Sequence, residues 1–117
     1  MKVTKIIDIL KAEVLMNYPD ENLEVEYGCA SDLMSDVLAF ANSDSMLITG
    51  LSNPQVIRTA EMMDISTVVF VRGKKPGKEI LELAEENSLT ILATDYSMFE
   101  TCGLLFLNGL KGIDVNE

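Results

Sequence analysis

Apolar positions along the chain form two kinds of block, short continuous runs and stripes at helical spacing, and the two kinds alternate. Met46-Leu47-Ile48-Thr49, Thr67 to Val71 and Leu89 to Ala93 are runs too short for helices and are bounded by turn formers, which reads as buried strands. Their ends, Thr49, Val71 and Ala93, fall 22 residues apart. Helical stripes separate them. Asn53-Pro54 supplies a cap and a first-turn proline ahead of Val56, Ile57, Ala60 and Met63. Pro76 opens a helix that turns Ile80, Leu83 and Ala84 inward and Glu79, Glu82, Glu85 and Glu86 outward. After Ala93 comes the stretch Thr94-Asp95-Tyr96-Ser97-Met98-Phe99-Glu100, a tight polar turn running into a Ser-x-x-Glu capping box. The helix it opens carries Phe99, Gly103 and Phe106 on one stripe and Met98, Cys102 and Leu105 beside it.

The first third of the chain is less regular. Thr4 is placed to cap a helix through about Leu10, with Ile6, Ile7 and Leu10 at helical spacing, and Glu13 to Met16 reads as a short extended piece. Asn17 to Asn22 is dense in turn formers. Leu23 to Tyr27 alternates apolar and acidic residues and predicts a half-buried strand near an edge. From Gly28 the pattern changes. Ser31 and Asp32 are candidate caps for a helix carrying Leu33, Met34, Val37, Leu38 and Ala41. From Asn108 the chain reads as a frayed tail with an acidic end. Strand and helix alternating at this spacing form βαβ units, and strands apolar on both faces need helices on both sides. The expected fold is α/β, a three-layer α/β/α domain with a mainly parallel sheet.

Composition narrows the function more than the fold. At 117 residues the chain is expected to be one domain, residues 1–117. Its net charge of −10 argues against nucleic acid and against anionic membrane surfaces, because both need Lys and Arg to replace counterions. No apolar run nears the roughly 18 residues that span a bilayer. The N-terminal segment lacks a signal-peptide core, since Asp8 and Lys11 interrupt it, so a cytoplasmic protein is expected. The chain has no histidine, which removes the commonest general base, the Ser-His and Cys-His pairs and most transition-metal sites. Carboxylate-only chemistry with Mg²⁺ is the chemistry left open. Cys29 and Cys102 form no C-x-x-C pair and read as free, buried, small apolar residues. Met34, Met62, Met63 and Met98 read as core filler.

Candidate chemistry gathers at the carboxyl edge of the expected sheet, where parallel α/β folds bind ligands. Ser31, Asp32, Thr49, Gly50, Asn53, Thr94, Asp95 and Ser97 fall there. Helix N-termini at that edge favour anions, and Gly50 would let a ligand approach the backbone. Arg72, Lys74, Lys75 and Lys78 are four of nine basic residues and could form a phosphate clamp, or a solvated loop balancing the acidic helix behind it. The segment Gly73 to Glu79 is not a phosphate-binding P-loop, having three residues between its glycines and Glu after its lysine. Asp32 is explained by helix-dipole stabilisation and Glu100 by the capping box. Nothing pairs Asp32, Asp36, Asp95 and Glu100 for acid–base work. No catalytic residue, metal ligand or cofactor is assigned.

The order Ser35-Asp36-Val37-Leu38, Leu47-Ile48-Thr49-Gly50 and Ile91 to Thr101, with its Ser-x-Phe-Glu turn, resembles the DRTGG-domain family from about Val3 to Ile113. Related domains are fused to CBS-domain pyrophosphatases and phosphotransacetylases, and their fold is similar to the N-terminal domain of HPr kinase. The resemblance implies a dimerising regulatory module, not a kinase. The eponymous Asp-Arg is absent, the region reading Cys29-Ala30-Ser31-Asp32, and the second glycine is Leu51. Two functions follow as expectations. One is a non-catalytic module binding a small anionic, nucleotide-like ligand over Thr49-Gly50. The other is a ligand-free dimerisation or adaptor domain acting on a protein partner. A homodimer is expected, as the resemblance implies and because Leu104-Leu105-Phe106-Leu107 covers most of a helix circumference.

Overall fold

The structure, a computed structural model, describes residues 1–113. Its elements are α1 (Val3–Leu10), β1 (Glu13–Met16), β2 (Tyr27–Ala30), α2 (Met34–Phe40), β3 (Ser45–Thr49), α3 (Pro54–Met62), β4 (Thr67–Phe70), α4 (Lys78–Glu86), β5 (Thr90–Ala93), α5 (Met98–Leu107) and β6 (Lys111–Gly112). The six strands form one sheet in the order β1-β5-β4-β3-β2-β6. β1 runs antiparallel to β5, and every other pairing is parallel. The expected α/β architecture is present.

Alternation along the central strands builds the two outer layers. Leu47, Val68, Phe70 and Ile91 point to one face and pack with Val37 of α2, Val56 and Ile57 of α3, and Ile80 and Ala84 of α4. Met46, Ile48, Val69 and Leu92 point to the other and pack with Val3, Ile6 and Leu10 of α1 and Leu105 of α5. The split follows from direction of travel. From β2 to β5 the chain steps one way across the sheet, and right-handed crossovers put α2, α3 and α4 on one face. From β5 it must return past the whole sheet to place β6 beside β2, and the same handedness then requires α5 on the opposite face.

Several local expectations need correction. Of Leu23 to Tyr27 only Tyr27 belongs to a strand. Glu24 makes an isolated bridge to Lys2, while buried Val25 exchanges backbone hydrogen bonds with Met1. The strand lies instead over Tyr27–Ala30, because parallel pairing with Ser45 to Ile48 satisfies four residues there. Gly28 is part of it, and a side chain there would crowd Leu110 at 3.2 Å. Thr4 caps nothing. α1 begins two residues earlier, with Lys2 at the cap position and its start held by the Val3 amide donating to the Leu23 carbonyl at 3.0 Å. α4 begins at Lys78 with Gly77 as its cap, two residues after the buried Pro76. Asn53 ahead of Pro54 supplies an acceptor, and Lys75 ahead of Pro76 cannot. The tail is ordered further than expected: Gly109 turns the chain at φ 107° and β6 pairs with Tyr27 and Gly28. The acidic end expected to fray lies outside the described residues. Met62 is not core filler, being 71% exposed, whereas Met34 is buried.

Candidate functional site

The parallel strands end together. Thr49, Phe70 and Ala93 are register partners, so the loops after β3, β4 and β5 open side by side at one edge. Two of these loops are tied to each other. Arg72 and Gly73 both take positive φ, 59° and 69°, which turns their amides onto the carbonyls of Tyr96 and Thr94, each at 2.8 Å. Gly73 is needed here, because a side chain would meet Asp95 Oδ1 at 3.1 Å in an already left-handed backbone. At the start of α5 the Ser97 hydroxyl accepts the Glu100 amide at 3.1 Å. The Ser97 half of the expected capping box is therefore in place, while the Glu100 carboxylate makes no return bond to the Ser97 amide.

Asp32 does something the sequence did not indicate. Its Oδ1 accepts the Thr49 hydroxyl and the Gly50 amide, both at 2.8 Å, across 17 and 18 residues of chain. It does not cap α2, whose N-cap is Leu33. The Gly50 amide, then the Thr49 hydroxyl, hold the Asp32 carboxyl below its ordinary pKa, against the opposing effect of burial and with lesser help from Arg72 and Lys74. The carboxylate is ionised at neutral pH and fixed at the end of β3.

These groups surround a hollow of about 350 Å³ lined by Asp32, Gly50, Val71, Arg72, Ser97, Met98 and Phe99. It brings together Asp32, Gly50, Ser97 and Arg72 from the expected set, with Thr49 bonded to Asp32 in its wall. The others stand apart from the lining. The Ser31 hydroxyl accepts the Leu33 amide in a local turn, and Asn53 caps its own helix by accepting from Gln55 at 2.9 Å. Thr94 is buried, its hydroxyl donating to the Leu10 carbonyl at 2.8 Å. Asp95 lines smaller hollows with Lys11 and Gly73. Lys75 pairs with Glu13 at 3.0 Å, and Lys74 is exposed. Lys78 faces Glu82 at 3.9 Å, so the expected four-residue clamp is reduced to Arg72 at the hollow itself. Val71, Met98 and Phe99 were missed. The signal for the last two was their place directly after the Ser97 cap, which forces the first turn of α5 to face the loops.

A second, larger hollow of about 390 Å³ is apolar. It runs between α5 and the β2–β6 edge and is lined by Gly28, Ile48, Phe99, Cys102, Phe106 and Leu110, among others. Cys102 and Cys29 are free and only half-buried, so neither is the fully buried residue expected. Burial pushes both thiols up, with Asp36 adding to the effect at Cys29. Among the described residues no group of carboxylates and thiols could hold a metal ion, and no helix is long and apolar enough to cross a membrane.

Residues 5–106 match the DRTGG domain. The chain belongs to the DRTGG-domain family. No curated protein matches it. Among solved structures it is similar to the CBS and DRTGG domains of the regulatory region of a Clostridium perfringens pyrophosphatase, complexed with the activator diadenosine tetraphosphate. That likeness has a TM-score of 0.70 at 20% identity and covers 97% of this chain and 51% of the other. The DRTGG chain described here therefore spans about half the length of that relative, and the likeness is one of fold.

Proposed function

We propose that this DRTGG domain is a single, non-catalytic regulatory module that binds a small anionic, nucleotide-like ligand in the hollow at the carboxyl edge of its sheet. The observation that carries this is one cavity lined by an ionised carboxylate, a guanidinium that makes no ion pair among the described residues, and an apolar wall. Few placed polar groups against apolar lining is the usual make-up of a small-molecule site, and about 350 Å³ falls within the roughly 300–1,000 Å³ such sites occupy. That a family relative's regulatory region is complexed with a nucleotide activator agrees with this reading.

A thermal-shift screen against nucleotides and phosphorylated metabolites tests it. A ligand at 100 times its Kd adds about 2.7 kcal/mol to stability, a shift of several degrees for a domain this size. Arg72→Asn is the matching variant, since Asn tolerates the left-handed backbone that Arg72 adopts. It should remove the shift while leaving the unliganded melting temperature nearly unchanged. A screen with no hits counts against the reading.

The second reading, a dimerisation or adaptor domain, is favoured by the apolar groove and by the exposure of Phe99 (87%), Phe106 (71%) and Leu107 (83%) on α5. Three large apolar side chains on one helix form a patch of the kind that marks interaction surfaces.

A further inference from the structure

The hollow described above contains its own selection rule. Thr49 and Gly50 supply the fixed donors at the end of β3, and both are already taken by Asp32 Oδ1. An anion placed over Thr49-Gly50 would find no free donor there and would face a carboxylate charge. The negative part of a ligand must therefore lie at Arg72, on the side of the guanidinium away from Asp32, because Arg72 Nη2 and Asp32 Oδ1 stand 3.5 Å and 3.8 Å from the point where a Gly50 side chain would begin. Asp32 presents the reverse chemistry. Its Oδ2 accepts no hydrogen bond from the described protein, so it is an open acceptor for hydroxyl or amino donors. Val71, Met98 and the exposed ring of Phe99 line the rest of the hollow.

Taking the site to bind a small anionic ligand as argued above, we propose that it selects a ribonucleoside monophosphate: phosphate on Arg72, ribose hydroxyls on Asp32, base stacked on Phe99. Inorganic phosphate or a sugar phosphate would leave the aromatic wall unused. A free nucleoside would leave the guanidinium unpaired. A volume of about 350 Å³, at the small end for ligand sites, suits one nucleotide unit better than two. The Asp32 carboxylate is rigid before any ligand arrives, so a diol meets an acceptor whose ordering cost is already met.

Calorimetry on the native chain tests this with five kinds of probe: the four ribonucleoside 5′-monophosphates, the 2′,3′-dideoxy form of the best of them, its nucleoside, its ribose 5-phosphate and inorganic phosphate. The monophosphate should bind at least about 10-fold tighter than nucleoside, sugar phosphate or phosphate, since a stacked base contributes roughly 1–3 kcal/mol. The dideoxy form should lose about 10-fold on the native chain and much less on Asp32→Asn, which keeps Oδ1 for Thr49 and Gly50. Phe99→Leu, at an exposed position, should narrow the gap between nucleotide and sugar phosphate. Should Asp32→Asn fail to fold, the dideoxy comparison on the native chain decides alone. Equal binding of monophosphate and phosphate, or of the ribo and dideoxy forms, overturns the assignment. If these probes fail but the wider screen yields other anions that need Arg72, the nucleotide assignment falls and the ligand-binding reading stands. If both are empty, both fall.

Discussion

α4 and α5 each follow a central strand, each close on the sheet, and each begin at the carboxyl edge, yet they end differently. α4 buries Ile80 and Ala84 and turns Glu79, Glu82, Glu85 and Glu86 to water. α5 fully buries only Thr101 and Leu105 and leaves Phe99, Phe106 and Leu107 exposed. One helix is finished by solvent and the other is not. Apolar content therefore says little about how much of a helix the fold covers. α5 is the element that must return past the whole sheet, and its inner stripe suffices for that. The acidic outside of α4 would repel a second acidic copy, whereas the outer face of α5 carries one carboxylate, Glu100, in its first turn.

The largest effects should separate the two faces of α5 itself. Leu105→Ala should cost about 2–5 kcal/mol in urea unfolding, as for other buried leucines, while Phe106→Ala should stay within about 0.5 kcal/mol in dilute protein. If the two cost the same, the outer face is covered in solution and the contrast with α4 disappears. Association is the next test. At micromolar concentration sedimentation should report about twice 12.9 kDa. Phe106→Glu should return the chain to monomer, and Glu82→Gln on α4 should change nothing. A native monomer would mean that α5 tolerates water as α4 does. The smallest effect sharpens the point. Gly103 lies mid-helix, and beyond its own helix backbone and chain neighbours an added methyl would meet nothing within 4 Å, so Gly103→Ala should stabilise the monomer by up to about 1 kcal/mol. A loss instead, growing with protein concentration, would show that a partner approaches the α5 backbone there.

The central strands were legible because burial on both faces leaves an unmixed apolar run, and their expected ends agree with Thr49 and Ala93 and miss Phe70 by one residue. Tyr27–Ala30 was not legible. Its Gly28 and Ala30 carry no strand signal, and its place is set by a partner strand and by Leu110, far along the chain. The stripe of Phe99, Gly103 and Phe106 was read correctly as a stripe, but a helix apolar all round offers no contrast to say which stripe faces in. Likewise, the Asp32 carboxylate next to a helix start looks like a cap. Only the folded chain brings it to Thr49 and Gly50 in preference to the α2 amides. Local signals identified the loops, and non-local contacts decided what their side chains do.

The two borders of the sheet bear on how this molecule behaves when crowded. β1 is four residues long with a register break between Val14 and Met16, and β6 is two residues long. Glu13 and Lys111 put charge on these borders. Short, irregular, charged borders are poor templates for another strand, so chains cannot easily stack by extending the sheet from one molecule to the next. Growth without limit, the route to fibrils, is disfavoured at both borders. The exposed apolar side chains lie on α5 instead, and a two-fold contact through that helix would close on itself as a pair.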